Sequence, residues 1–140
     1  MKLIRDLILA VGSLVAAVSV AHATDSVEQW GVYEVALKGP TSGNPFLDVK
    51  FSARFSLGTN SVETVGFYDG DGTYRVRFSP DKQGAWQYET ISSAAELNRN
   101  SGEFTVTKPS ANNHGPVHVA NTFHFAYADG TAYKQLGTTC

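Results

Sequence analysis

The apolar positions of this chain recur at every second residue over much of its length. In residues 49–57 (VKFSARFSL), Val49, Phe51, Ala53, Phe55 and Leu57 fall on one side, and Lys50, Ser52, Arg54 and Ser56 on the other. An extended strand with that order buries one face and wets the other, whereas a helix would scatter the same residues around its cylinder. The same alternation predicts a strand at residues 74–78 with Tyr74, Val76 and Phe78 inward, and another starting at Trp86-Gln87-Tyr88. Further strands are predicted around Phe104 and Val106, around Val117 and Val119, and at Phe123, Phe125 and Tyr127, these last three sharing the inward side. Upstream, residues 27–37 read as a first strand carrying Trp30, Val32 and Ala36, and residues 62–67 as one with Val65 and Phe67 on a common face. Only residues 94–98 look helical, and they are few.

Glycine, proline and aspartate punctuate the pattern. Residues 38–45 (KGPTSGNP) cannot be regular structure, because proline lacks a donor and glycine favours unusual dihedrals. Asp69-Gly70-Asp71-Gly72 and residues 79–84 are turns, Asp129-Gly130 is a two-residue hairpin signal, and residues 108–116 read as a linker. Many short strands at this spacing predict a sandwich or a small barrel. Tyr74 opens its strand directly after a turn. There it either returns its hydroxyl to upstream backbone, as at the corner of an immunoglobulin-like sandwich, or is a core residue at a strand start.

The first residues follow a different rule. Lys2 and Arg5 precede an apolar run from 7 to 20, and Ala21-His22-Ala23 follows it. Basic start, apolar middle and small-x-small end predict a signal peptide over residues 1–23, cleaved after Ala23. The competing reading, a membrane anchor, needs about 20 apolar residues in a row. Removing Lys2, Arg5 and Asp6 shifts the formal charge from −2 to −3, which offers nothing for nucleic acid or anionic lipid. The lone cysteine, Cys140, rules out an internal disulfide or a paired-cysteine metal site, so the folded domain relies on its core.

Several separated motifs carry a resemblance. WGVYE at 30–34, GFYDG at 66–70, YRVRFSP at 74–80 and GAWQY at 84–88 occur in order, followed by NHGPVHV at 113–119 and FHFAYADGT at 123–131. Together they resemble the domain of unknown function 5060, an N-terminal β-sandwich of bacterial glycoside hydrolases that a catalytic (β/α)8 barrel follows. The resemblance implies an all-β, immunoglobulin-like or fibronectin-like antiparallel β-sandwich over residues 24–132. It also implies that residues 133–140 (YKQLGTTC) lead into a barrel this chain lacks, since a barrel takes about 250 residues. The expected function is a non-catalytic accessory module, secreted or periplasmic, that braces the barrel. The expected partners are that barrel and polysaccharide, with no nucleic acid, no membrane after signal cleavage and no cofactor. A stand-alone carbohydrate-binding module and a protein-binding adhesion domain are the alternatives.

The residue chemistry agrees with an accessory role. Glycoside hydrolysis needs two carboxylates facing each other across a sugar. Here Asp69, Asp71, Asp81 and Asp129 sit in turns, where aspartate bends and caps backbone. Asp69 and Asp71 lack the ligand series of a calcium loop, and His114, His118 and His124 lack zinc spacing, so no metal is expected. Exposed aromatics can stack on sugar faces. Trp30, Tyr33, Tyr68, Trp86 and Tyr88 are the possible platforms, and Trp86 and Tyr88, which share a strand face, are the candidate carbohydrate-binding pair. The same face reads first as core, because aromatics usually carry the interior of a sandwich.

Overall fold

The computed structural model describes residues 25–137; the predicted signal peptide lies outside them. Ten strands run through the described residues: β1 (Asp25–Glu28), β2 (Tyr33–Lys38), β3 (Phe51–Leu57), β4 (Asn60–Val65), β5 (Phe67–Tyr68), β6 (Thr73–Phe78), β7 (Gly84–Ser92), β8 (Ser101–Thr107), β9 (Val117–Asn121) and β10 (His124–Tyr127). A helical turn, α1 (Pro45–Asp48), precedes β3, and a 3-10 turn at Ala95–Leu97 precedes β8. One sheet has the order β1-β8-β7-β3-β4, a second β2-β6-β5, and β9 pairs with β10 in a separate two-stranded unit. All pairs are antiparallel except β1 with β8.

The two larger sheets close over an aromatic interior, as the period-two pattern requires. β3, β7 and β8 supply Phe51, Ala53, Phe55, Trp86, Phe104 and Val106, while β2 and β6 supply Val35, Tyr74, Val76 and Phe78. Rings meet across the layers: Phe55 stacks on Phe78 at 4.3 Å between centroids, Tyr33 stacks on Phe104 at 3.7 Å, and Phe78 lies 4.9 Å from Trp86. Leu97 of the 3-10 turn is fully buried in the same cluster. Thr90, buried beside the core, donates to the Leu97 carbonyl at 2.6 Å and accepts from the Asn100 amide at 2.9 Å. Its polar atom is thereby satisfied, which avoids the cost of an unpaired buried group.

The fold departs from simple alternation where the chain changes sheets. The first predicted strand is broken: β1 and β2 lie in different sheets, and Trp30 sits in the turn between them with φ 65°. The Gly31 amide closes that turn on the Glu28 carbonyl at 2.9 Å. Residues 62–67 likewise divide into β4 and β5, in different sheets, and Val65 is 80% exposed. Gly66 makes the crossing possible. Its amide donates to the Phe51 carbonyl at 2.8 Å, and a Cβ there would lie 2.8 Å from the Arg75 carbonyl and closer still to the Phe51 ring.

The third departure is in β10. The pattern places Phe123, Phe125 and Tyr127 inward together. In the structure Phe123 lies in the turn, 86% exposed, Phe125 is also exposed, and Ala126 is the buried residue. A register shift between His124 and Phe125 takes Phe123 off the common side, while Phe125 and Tyr127 keep theirs, opposite the buried Ala126.

Candidate functional site

Trp86 belongs to the core. It is 2% exposed, its ring packs on Phe78, and its indole Nε1 donates to the Lys82 carbonyl at 2.9 Å. A ring covered in this way has no face to offer a sugar. Tyr88 is half-buried on the same side of β7, 6.0 Å from Phe55 and 6.1 Å from Tyr33 between ring centroids, and it covers Gly102. Burial pushes the Tyr88 phenol above its ordinary pKa, and it pushes Tyr33 up to about 12, with Tyr88 and Asp25 adding to the rise. Tyr68 accepts the Gly72 amide at 3.0 Å and packs on Tyr74 and Phe46. Trp30 lies against Gly115.

Several of the acids are held in ion pairs or hydrogen bonds, Asp69 and Asp129 among them. Asp69 accepts from Arg75 Nε at 2.6 Å, and Glu34 binds Arg75 and, at 2.7 Å, Arg77. The hydrogen bond from Arg77 is the main reason the Glu34 carboxyl is held below its ordinary pKa, with Arg75 assisting. The Ser110 amide does the same for Glu28 at 2.6 Å. His114 Nδ1 lies 2.7 Å from Asp129, and that contact, with the Thr131 amide, lowers Asp129 to about 2. Glu28, Glu34 and Asp129 are thereby stabilised as anions. A glycosidase general acid needs the opposite shift, a raised pKa that keeps its proton at neutral pH.

What the fold leaves exposed lies at its two ends. At the end where Phe51 pairs with Ser92, α1 lifts Phe46 and Leu47 into solvent, 71% and 77% exposed. With Val65 and Ile91 they border an open groove of about 610 Å³, which also carries Lys50 and Glu63. At the opposite end, where Gly84 pairs with Val106, the segment after β8 carries the β9–β10 hairpin. Asn113 Nδ2 donates to the Gln29 carbonyl at 3.1 Å and fastens that segment to the β1–β2 turn. A smaller open groove of 450 Å³ runs over the outer face of β3, β7 and β8, lined by Arg54, Gln87, Glu89 and Glu103.

Neither end stands out in the alternation. Phe46 and Leu47 follow Pro45 in a stretch that reads only as loop, and their signal is an apolar pair without a strand to belong to. The hairpin reads as two more strands of the sandwich, because alternation does not say which sheet a strand joins.

Comparison with known proteins gives these surfaces a context. Residues 26–93 match the domain of unknown function DUF5060. A solved structure, the "putative glycoside hydrolase" of Bacteroides vulgatus ATCC 8482, is 46% identical with a TM-score of 0.78 over 83% of this chain. The chain spans 22% of the length of that protein. No curated protein compared with the chain matches it. Residues 26–93 therefore form a DUF5060 domain, in a chain related to a glycoside hydrolase.

Proposed function

We propose that this chain is the non-catalytic accessory module of a larger, secreted glycoside hydrolase acting on polysaccharide, and that it braces the catalytic barrel. The observation that carries this reading is the unequal coverage of the Bacteroides vulgatus match: most of this chain, but only 22% of the other. The closed aromatic interior and the ion-paired acids favour the same reading, since they serve stability rather than proton transfer. In this layout residues 1–23 direct export, 24–132 form the module, and 133–140 lead toward the barrel. The test is reducing-sugar release from a polysaccharide panel by the purified chain. No release is expected, and cleavage by the chain alone overturns the proposal.

One observation favours a second reading, a carbohydrate-binding module. Phe46 stands exposed beside the groove at the α1 end, with its edge on Tyr68 at 5.0 Å. That ring is a more accessible platform than Trp86. Retention of the chain on an immobilised glycan, lost in Phe46→Ala with the fold intact, would support it; retention unchanged by Phe46→Ala would remove this ring from consideration.

A further inference from the structure

We infer that the apolar face of the β9–β10 hairpin is the seat of the next domain of the same polypeptide, the one that continues past residue 137. The inference deepens the accessory reading above and depends on it.

A two-stranded hairpin is marginal in water by itself and needs a surface to pack on. Register places Val119 opposite Phe125 and Val117 opposite Tyr127, so these four share one face. Val119 is 65% exposed, and Val117 and Phe125 remain exposed beside it, with Phe123 at the turn. Apolar clusters of this kind mark interaction sites in soluble proteins. The hairpin is also held firmly at its base. The Ser110 amide donates to Glu28, Asn113 to Gln29, and Trp30 lies under Gly115. A held, two-stranded, apolar projection is suited to transmitting position from the sandwich to a partner.

The path of the chain selects the occupant. After β10 the backbone turns through Gly130 and returns, with Ala132 bridging to Ala126 and the Tyr133 amide donating to the Phe125 carbonyl at 3.2 Å. The Tyr133 ring then stands edge-on to Phe125 and to Tyr127, at 6.5 and 5.3 Å between centroids. The residues after Tyr133 thus start from the apolar face itself. A domain tethered there meets the face at high effective concentration, which a second copy of the chain does not. The Bacteroides vulgatus protein, of which this chain covers 22%, has a further 78% of its length in which a domain able to occupy such a face can lie.

The experiment has two arms. In the solved Bacteroides vulgatus structure, side chains aligned with Val119, Phe123 and Phe125 are expected to be buried against residues outside the matched segment; if they face solvent, the inference is wrong. In solution, lysine at the position aligned with Val119 is expected to lower the melting temperature of that protein, whereas lysine at the position aligned with Val65, at the other end, leaves it unchanged. An equal effect at both positions, or none at Val119, overturns the inference. In the present chain Val119→Lys is expected to leave both melting and sedimentation unchanged. Conversion of a dimer to a monomer by Val119→Lys would make a second copy the occupant and overturn it as well. Sugar cleavage by the chain alone would instead remove the accessory reading, so the two failures are distinguishable.

Discussion

The hydroxyl of Tyr74, at the start of β6, donates a hydrogen bond of 2.8 Å to the carbonyl of Pro40, in the connection from β2 to β3. That connection carries the chain from one sheet to the other, and the bond fixes it against the core. Pro40 lies 34 residues upstream, so the contact closes a long loop rather than a local turn. Tyr74→Phe keeps the ring but strands the carbonyl. Unfolding in urea is expected to show a loss of about 1 to 2 kcal/mol, in the range for a lost hydrogen bond with a partly unsatisfied partner. A loss near zero would mean that the loop is held by other contacts.

Trp86 is a test of the core reading. Its ring packs on Phe78 and is 2% exposed, so truncation leaves a cavity in the core. Trp86→Ala is expected to cost about 3 to 5 kcal/mol of folding stability. Chemical denaturation measures this directly. A mild loss would contradict the burial described above.

Gly66 predicts a sharper local effect. A side chain there would meet the Arg75 backbone and the Phe51 ring, neither of which can move without opening a sheet. Gly66→Ala is expected to lower the melting temperature by several degrees, as a destabilisation of about 1 to 3 kcal/mol does in a domain of this size. An unchanged melting curve would show that β4 and β5 can separate without cost.

Gly115 and Trp30 form the joint between sandwich and hairpin. Gly115 has φ 76°, and a Cβ there would lie 2.5 Å from the Trp30 ring. Trp30 itself holds φ 65°, a conformation that costs a non-glycine residue about 1 to 3 kcal/mol and persists only where its surroundings enforce it. Gly115→Ala is expected to remove amide protection from the hairpin, at Tyr127 and Asp129, while β3 and β7 keep theirs. Hydrogen exchange reads this. Simultaneous loss in β3 would show that hairpin and sandwich open as one unit.

The pairing of His114 with Asp129 makes the hairpin sensitive to acid. The Asp129 pKa is lowered from an ordinary 3.8 to about 2, so the folded state favours the anion. The stabilisation is complete above pH 4 and is lost as pH falls toward 2, because protonation then removes the bond to His114 and the one from Thr131. Hydrogen exchange of the turn at Gly130 is expected to rise across that interval in the native chain. Asp129→Asn should flatten the profile, and a rise of the same size in that variant would assign the acid response to another group.

Much of the sandwich is legible in the linear order of residues. Phe51, Ala53 and Phe55 alternate with Ser52 and Arg54, and the structure buries the first set. Tyr74 after its turn reads either as a corner bond or as a core residue, and in the structure it is both, buried and bonded to Pro40. These features are local: a strand two residues in period assigns its own faces, and a turn announces itself through glycine and aspartate. The candidate pair Trp86 and Tyr88 was placed correctly on one face, but only packing told whether that face met solvent or the second sheet.

Alternation alone left the pairing of distant segments open. Nothing in GFY at 66–68 says that Gly66 carries the chain across the sandwich, since that depends on Phe51 and Arg75 arriving from elsewhere. The separation of Phe123 from Phe125 turns on a register shift against β9, and the exposure of Val119 turns on which surface the hairpin lies against. The side a residue faces is written in its neighbours along the chain; what lies on that side is set by long-range contacts, which form only when the whole domain closes.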